Sequence, residues 1–447
     1  MFSRAFSIAR LRPAGPIKAA AVAMVVAAGT MATIPAAAAP SVDGDNQPIT
    51  SAGVLSTRVT RGRNWRLGVR LNALSDSNYR RRPEGLEESA LRLTPVVDAG
   101  VGLPVGRQQL FVGGSIGRDY FINKPLRNRN RWQLGGGVAW RLGSRCSGII
   151  GAETRRRLVQ LDDQSEFTDN VQTSNDIGAS ANCQTATGLG FGGSVRHDDT
   201  SNDTPNRMVF DSRSTTYSPS ISYGNRSLGQ FSLGATVSNI SFTNRPVPTP
   251  AGFVEDGLRS LNGRAGYSRT LGSRLQLTAG LSYLRTTPKP GTVLAIDPNG
   301  QVVVVPREPF SGTGYDFSLA YQPSTRLSVV VAGDRGVSAS RNVGALFTIR
   351  QGVSADINYK VGPSIDVGAG VSRRTNEYKG SFVSAAEPQP RISDQFERVY
   401  AQIDYSPVSL YSIGVEVAHQ RRKSNPSTFN FASTTALLRL RVSLGRG

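Results

Sequence analysis

From Trp65 onward the chain alternates apolar and polar residues with a period of two. Trp65, Leu67, Val69 and Leu71 interleave with Arg66, Gly68, Arg70 and Asn72. Successive side chains of a β-strand point to opposite faces, so this pattern predicts strands with one apolar and one wet face. The same grammar returns in Leu91, Leu93, Val97, Ala99, Val101 and Leu103, and in Trp132, Leu134, Val138 and Trp140. It continues through Leu275 to Tyr283 and Ile349 to Tyr359, and ends with Leu438, Leu440, Val442 and Leu444. Over the whole chain it predicts about eighteen strands, with sixteen as the alternative.

The connections fall into two kinds. Short turns are expected near Pro104 to Gln108, Gly143 to Cys146, Gln184 to Gly188, Gly224 to Gly229, Leu271 to Arg274, Gln322 to Arg326, Val361 to Ser364 and Ser406 to Leu410. Between them fall polar loops near 75–88, 122–130, 161–175, 198–212, 243–257, 286–313, 335–342, 374–394 and 420–433. Eight turns alternating with nine loops fit an antiparallel transmembrane β-barrel with short periplasmic turns and long extracellular loops. The aromatics argue for a bilayer over a soluble sandwich. Trp65, Trp140, Tyr223, Phe231, Tyr321, Tyr359, Tyr405 and Tyr411 fall at turn ends, and Tyr120, Trp132, Tyr217, Tyr283 and Tyr315 at loop ends. Amphipathic rings prefer the headgroup level, so two girdles are expected.

The N-terminus sets the compartment. Arg4, Arg10, Arg12 and Lys18 precede an apolar stretch from Ala19 to Ile34, and Ala36 and Ala38 form an A-x-A cleavage site. Residues 1–38 therefore read as a secretory signal peptide, 39–63 as a polar periplasmic leader and 64–447 as one barrel domain. The expected location is the outer membrane of a Gram-negative cell. A hydrophobic content of 38% is too polar for a helical membrane protein. Two Cys and two His leave no Cys/His zinc cluster, and no metal or cofactor is expected. A net charge of +20 would suit nucleic acid, but the basic residues are mostly Arg and dispersed, so nucleic acid is not an expected partner.

The stretch from Ser75 to Phe121 carries DSNYRR and then LRLTPVVDAGVGLPVGRQQLFVGGSIGRDYF. It resembles the β-barrel porin family encoded in proteobacterial exopolysaccharide operons, in which a D-N-x-x-R-like segment precedes a strand, a P-x-G-R turn and a strand ending in an aromatic pair. The resemblance implies an outer-membrane barrel associated with extracellular polysaccharide, and it supplies no catalytic residues. One departure is the end of the chain: outer-membrane barrels commonly finish on an aromatic, whereas Leu444 runs into Gly445, Arg446 and Gly447.

With apolar residues facing lipid, the alternate phase lines the lumen. It includes Arg66, Arg70, Arg92, Arg141, Arg155, Arg157, Arg196, Arg264, Arg350, Lys360, Arg398, Arg439 and Arg441. Acids share that phase at Asp98, Asp119, Glu153, Asp316, Asp334, Asp356, Asp366, Asp404 and Glu416. Two readings stay open: an anion-attracting pore, or cross-strand Arg–Asp pairs that satisfy a polar interior. The glycines at 135–137 and at 188, 190, 192 and 193 resemble phosphate loops, but no helix follows them and strand glycine is the reading adopted. His197 and His419 face lipid near outside loops, where a hydrolase could use Ser194 or Ser201, yet no defensible spacing joins them. The acidic loop of Asp162, Asp163, Glu166 and Asp169 reads either as a cation site or as solvated surface.

Cys146 and Cys183 flank a turn on the apolar phase and are either a cross-strand disulfide or two lipid-facing thiols. The loop near 286–313 holds Val293 to Ile296 and Val302 to Val305 around Asp297 to Gly300, which predicts a hairpin that packs into the mouth. The functional expectation is a passive, non-enzymatic conduit for export of an anionic exopolysaccharide. Passive uptake of small anionic solutes is the alternative, and a lipid hydrolase the third reading. Expected partners are outer-membrane lipid and lipopolysaccharide, a polysaccharide chain and a periplasmic polysaccharide-export protein.

Overall fold

The computed structural model describes residues 64–122, 128–159, 170–225, 227–296, 300–339, 345, 347–379 and 392–446. The expected signal peptide and leader, the acidic loop around Asp162 and the turn residues Asp297 to Asn299 lie outside the described residues.

The chain is built from strands in meander order. The first seven are β1 (Asn64–Asp76), β2 (Ala90–Val105), β3 (Gln108–Phe121), β4 (Arg129–Leu142), β5 (Cys146–Val159), β6 (Asn170–Gln184) and β7 (Leu189–Asn202). Next come β8 (Ser212–Tyr217), β9 (Ser220–Asn225), β10 (Gly229–Thr249), β11 (Gly252–Leu271), β12 (Leu275–Lys289), β13 (Thr292–Ile296) and β14 (Val302–Pro306). The last seven are β15 (Phe310–Tyr321), β16 (Leu327–Ala339), β17 (Phe347–Lys360), β18 (Ile365–Lys379), β19 (Ser393–Val408), β20 (Tyr411–Asn425) and β21 (Phe431–Arg446).

β8 and β9 are two halves of one strand, since both pair with β7 on one side and β10 on the other. The break lies at Ser218 and Pro219, where proline has no N–H to give the ladder. Pro219 still accepts from Ala235 N–H at 3.1 Å, so the wall continues through the break. With β13 and β14 forming their own sheet, eighteen strands make the wall, all antiparallel. The wall closes where β1 pairs with β21, in unbroken register from Trp65 opposite Arg446 to Asp76 opposite Thr435.

The outward phase is the one expected from the sequence. Leu281 is 72% exposed and Ile116 65%, and Trp65, Tyr223, Phe231, Tyr283, Tyr321, Tyr359 and Tyr405 are exposed as well. Exposed leucine, valine and aromatic side chains around a closed barrel are a lipid-facing surface. The protein is an outer-membrane β-barrel of the Gram-negative type, with β1 beginning and β21 ending on the side of the short turns.

Several expected loops prove shorter. The segment assigned to a loop over 243–257 is strand: β10 and β11 run on as a hairpin to Thr249 and Gly252. β18 and β20 likewise extend to Lys379 and Asn425. Beyond the bilayer both faces of a strand are wet, so the ladder persists after the apolar alternation that announced it has stopped.

The described connection over 77–89 folds inward. Arg81, at φ 56°, donates to Asp76 at 2.7 Å and to Ser433 at 3.3 Å, and Asn78 donates to the Ala432 carbonyl at 3.0 Å. Tyr79 packs against Phe121 with ring centroids 6.2 Å apart. The expected hairpin of β13 and β14 forms, and its base reaches the lumen side: Arg307 meets the inward-facing, fully buried Asp256 at 2.7 Å. Asp256 also holds Arg245 at 2.6 Å, and Arg245 stands 3.7 Å over the Phe242 ring. Arg245 reaches Asp256 from the bulge in β10 between Phe242 and Pro246. Val302 and Val304 of the hairpin stay exposed, so the cover expected for its valines is incomplete.

Cys146 and Cys183 are direct cross-strand partners of β5 and β6, and they form a disulfide with Cα atoms 4.1 Å apart. Maleimide labelling of the denatured, unreduced protein is expected to modify no thiol, and to modify both cysteines once a reductant is added; two reactive thiols without reductant would refute the bond.

Candidate functional site

The lumen narrows from the turn side to the loop side. Along β12 the inward series passes from exposed Gln276 through half-buried Thr278 and Ser282 to buried Leu284 and Thr286. Along β21, Ser443, Arg441 and Arg439 are half-buried, and Leu437, Thr435, Ser433 and Phe431 are buried. The open column of the lumen therefore lies at the turn end and stops at packed side chains beneath the inward-folded connection over 77–89.

A cavity of about 280 Å³ lies where this column tapers, on the seam that closes the barrel. Strand register arranges its lining in three rungs. In the outermost rung, Leu437 of β21 stands opposite Leu74 of β1, which stands opposite Arg92 of β2. One rung inward, Gly414, Arg439, Asn72 and Thr94 follow one another across β20, β21, β1 and β2. In the third rung Arg441 is directly opposite Arg70, with Val96, Gly117 and Arg131 continuing across β2, β3 and β4. Like charges directly opposite on a sheet are destabilising. The fold places two guanidiniums there and three more, Arg92, Arg131 and Arg439, around the same space.

Acids temper the cluster. Asp98 lies 3.2 Å from both Arg66 and Arg70, and Asp119 is 3.8 Å from Arg131. Arg439 reaches Asp404 at 3.3 Å and Glu416 at 3.4 Å, and Glu416 also holds Arg398 at 2.5 Å. Among the described residues named here, seven guanidiniums stand with four carboxylates.

Of the arginines expected from the sequence, the structure gathers Arg70, Arg92, Arg439 and Arg441 at this cavity, with Arg66 and Arg398 behind them. The others are spread around the wall. Arg196 pairs with Asp176 at 2.5 Å and Arg264 with Asp316 at 2.6 Å, so for these the cross-strand reading holds. Arg155 lines a smaller space with Arg131 and Arg157, Arg350 stands opposite Asn376, and Arg141 is exposed beside the first turns of the periplasmic end. Arg131 and Arg374 are inward arginines absent from the expected set. Arg131 alternates with the outward Trp132 and was legible by phase, whereas Arg374 lay in what read as loop.

Glycine makes room for the luminal ion pairs. Gly414 sits between Asp404 and Arg439 in the register, and a side chain at Gly280 would meet both Arg264 and Asp316. Each pair therefore spans an intervening strand by lying across a glycine.

The histidines assemble no serine dyad among the described residues: His197 Nδ1 lies 2.9 Å from Thr215 Oγ1 and His419 Nδ1 3.0 Å from Thr434 Oγ1. The glycines at 135–137 and at 190, 192 and 193 are in strands β4 and β7.

No protein-family model matches the chain, and no curated protein matches it in sequence. The resemblance to the exopolysaccharide-operon porins therefore rests on the residues from Ser75 to Phe121 and, more loosely, on the strand pattern of the chain. Solved structures of similar shape include OccK2 (OpdF) of Pseudomonas aeruginosa in complex with glucuronate, at 10% identity and a TM-score of 0.46 over 86% of this chain and 98% of that one. OccAB1 of Acinetobacter baumannii is similar at 13% identity and a TM-score of 0.47, covering 87% and 98% of the two chains. The FrpB iron transporter of Neisseria meningitidis (F3-3 variant) reaches 11% identity and 0.48, over 81% of this chain and 62% of its own. At these scores the likeness carries no weight for function.

Proposed function

We propose that the protein is a passive outer-membrane channel for small anionic solutes. The observation that carries this reading is Arg441 opposite Arg70 at the edge of a 280 Å³ cavity, with Arg92, Arg131 and Arg439 around it. An anion between these groups relieves their repulsion, and guanidinium binds carboxylate or phosphate oxygens in a planar, two-pronged way. Eighteen strands leave room for an aqueous path, and fixed positive groups in a narrow water column raise the local concentration of anions. A cavity of this volume suits a small solute better than the polysaccharide chain expected from the resemblance, and the inward-folded loops leave a polymer little clearance. Export of an exopolysaccharide is therefore the weaker reading.

In planar bilayers the wild-type channel is expected to prefer anions. Replacing Arg70, Arg92, Arg439 and Arg441 with glutamine should lower the anion-to-cation permeability ratio by roughly threefold or more, read from the reversal potential in a salt gradient. A cation-selective wild-type channel would overturn the proposal. Secretion of polymer that stops in a deletion strain and returns with the quadruple variant would instead restore the export reading.

The mouth supplies a second measurement. Removing residues 290–307, which carry the hairpin and Arg307, should raise single-channel conductance while leaving selectivity in place; an unchanged conductance would mean that the hairpin stands clear of the path.

A further inference from the structure

The outward face carries charge of its own. On β11 the outward series Tyr267, Ala265, Gly263 and Leu261 is apolar and then turns to Arg259. On β12, Leu277, Ala279, Leu281 and Tyr283 give way to Arg285, Thr287 and Lys289. Register places Thr287 directly opposite Arg259, and Lys289 opposite Gly257. Arg285 and Lys289 are therefore both diagonal neighbours of Arg259, about 7–8 Å away across the ladder. Three cations surround one threonine hydroxyl, and all four residues are exposed.

At two other places on the outer surface the same apolar-to-basic switch comes with acids. Arg213 pairs with Asp199 at 3.2 Å, and Glu397 stands between Arg373 and Arg421 in the register. Around Thr287, among the described residues, no carboxylate forms an ion pair with Arg259, Arg285 or Lys289. Glu255, two residues beyond Gly257 on the same outward phase, is by register as close to Lys289 as Arg259 is, and the exposed Glu308 precedes β15; neither is in an ion pair among the described residues. Three like charges on adjacent strands that no carboxylate holds in an ion pair repel one another.

Height identifies the occupant. Arg259 is eight residues above Tyr267 on its strand. A rise of about 3.3 Å per residue at a tilt of about 40° puts it roughly 20 Å above that ring, near the upper edge of a lipid-facing band about 25 Å tall. Tyr283, 53% exposed, lies one outward position below Arg285 and continues the apolar surface beneath the cations. At this level the long basic stems lie along apolar surface while their heads reach the headgroup layer.

We propose that Arg259, Arg285, Lys289 and the Thr287 hydroxyl form a phosphate-binding site for a lipid of the outer leaflet. The guanidiniums and the ammonium take the phosphate oxygens, the hydroxyl donates to one of them, and the acyl chains run down the surface formed by Leu281, Tyr283 and Leu261. The site is separate from the lumen, so its occupancy does not depend on what the channel carries.

The test is lipid retention by native mass spectrometry on the purified full chain in detergent. The probes are a bisphosphorylated disaccharide lipid, its dephosphorylated counterpart and inorganic phosphate as competitor. The phosphorylated lipid should bind, the dephosphorylated one should bind at least about tenfold more weakly, and millimolar phosphate should compete poorly. The R259Q/R285Q/K289Q variant should lose the preference for phosphate while keeping wild-type conductance and resistance to unfolding in SDS at room temperature, which shows that the barrel is intact. T287V should weaken binding less. Equal binding of the two lipids, undiminished binding by the folded triple variant, or full displacement by inorganic phosphate would each overturn the assignment.

Discussion

Hydrocarbon offers no hydrogen bonds, so every backbone N–H and C=O within the bilayer must find a partner in the chain itself. A sheet meets that demand only by closing, and closure here depends on β1 and β21 finding one another across the whole sequence. Once the edges are joined, each side chain has two destinations, lipid or lumen, and a shift of register by one residue would exchange them. The period-two alternation is thus the means by which the chain states its address, residue by residue. The arginine rungs of the lumen and the cations of the outer rim are consequences of that single parity.

The same parity explains what could be read in advance. Strand number, the two classes of connection and the lipid-facing aromatics all follow from alternation plus turn residues, which are local, whereas the bond between Cys146 and Cys183 was left open against two free thiols and needed the register to decide it. Which residues share a face follows from the same alternation. Which of them meet was not legible, because adjacency around the wall depends on stagger between strands. Arg441 and Arg70 are 371 positions apart in the chain and touch only through the closing register. The ends of strands were also obscured: Arg374 and the outer halves of β10 and β11 lie where both faces are wet and alternation has no cause.

The high positive charge looked dispersed along the sequence and in space resolves into two populations. One faces the lumen and is largely balanced by Asp98, Asp119, Asp404 and Glu416, leaving its excess at the seam. The other faces outward above the aromatic level, where Arg259, Arg285 and Lys289 are in no ion pair among the described residues. Chain order interleaves the two, because consecutive strand positions alternate between faces. A dispersed sequence of arginines is what a barrel with charge on both surfaces must show.

The glycines under the luminal ion pairs bear on the width of the passage. With Gly280 beneath Arg264 and Asp316, and Gly414 between Asp404 and Arg439, the charged groups lie flat against the wall instead of standing off it. Even a methyl group at such a position would lift a guanidinium toward the axis, moving charge and bulk into the path together. The calibre of the lumen at these levels is therefore held by residues that contribute no atoms to its lining beyond the backbone, and sequence drift at those few points would act as an iris.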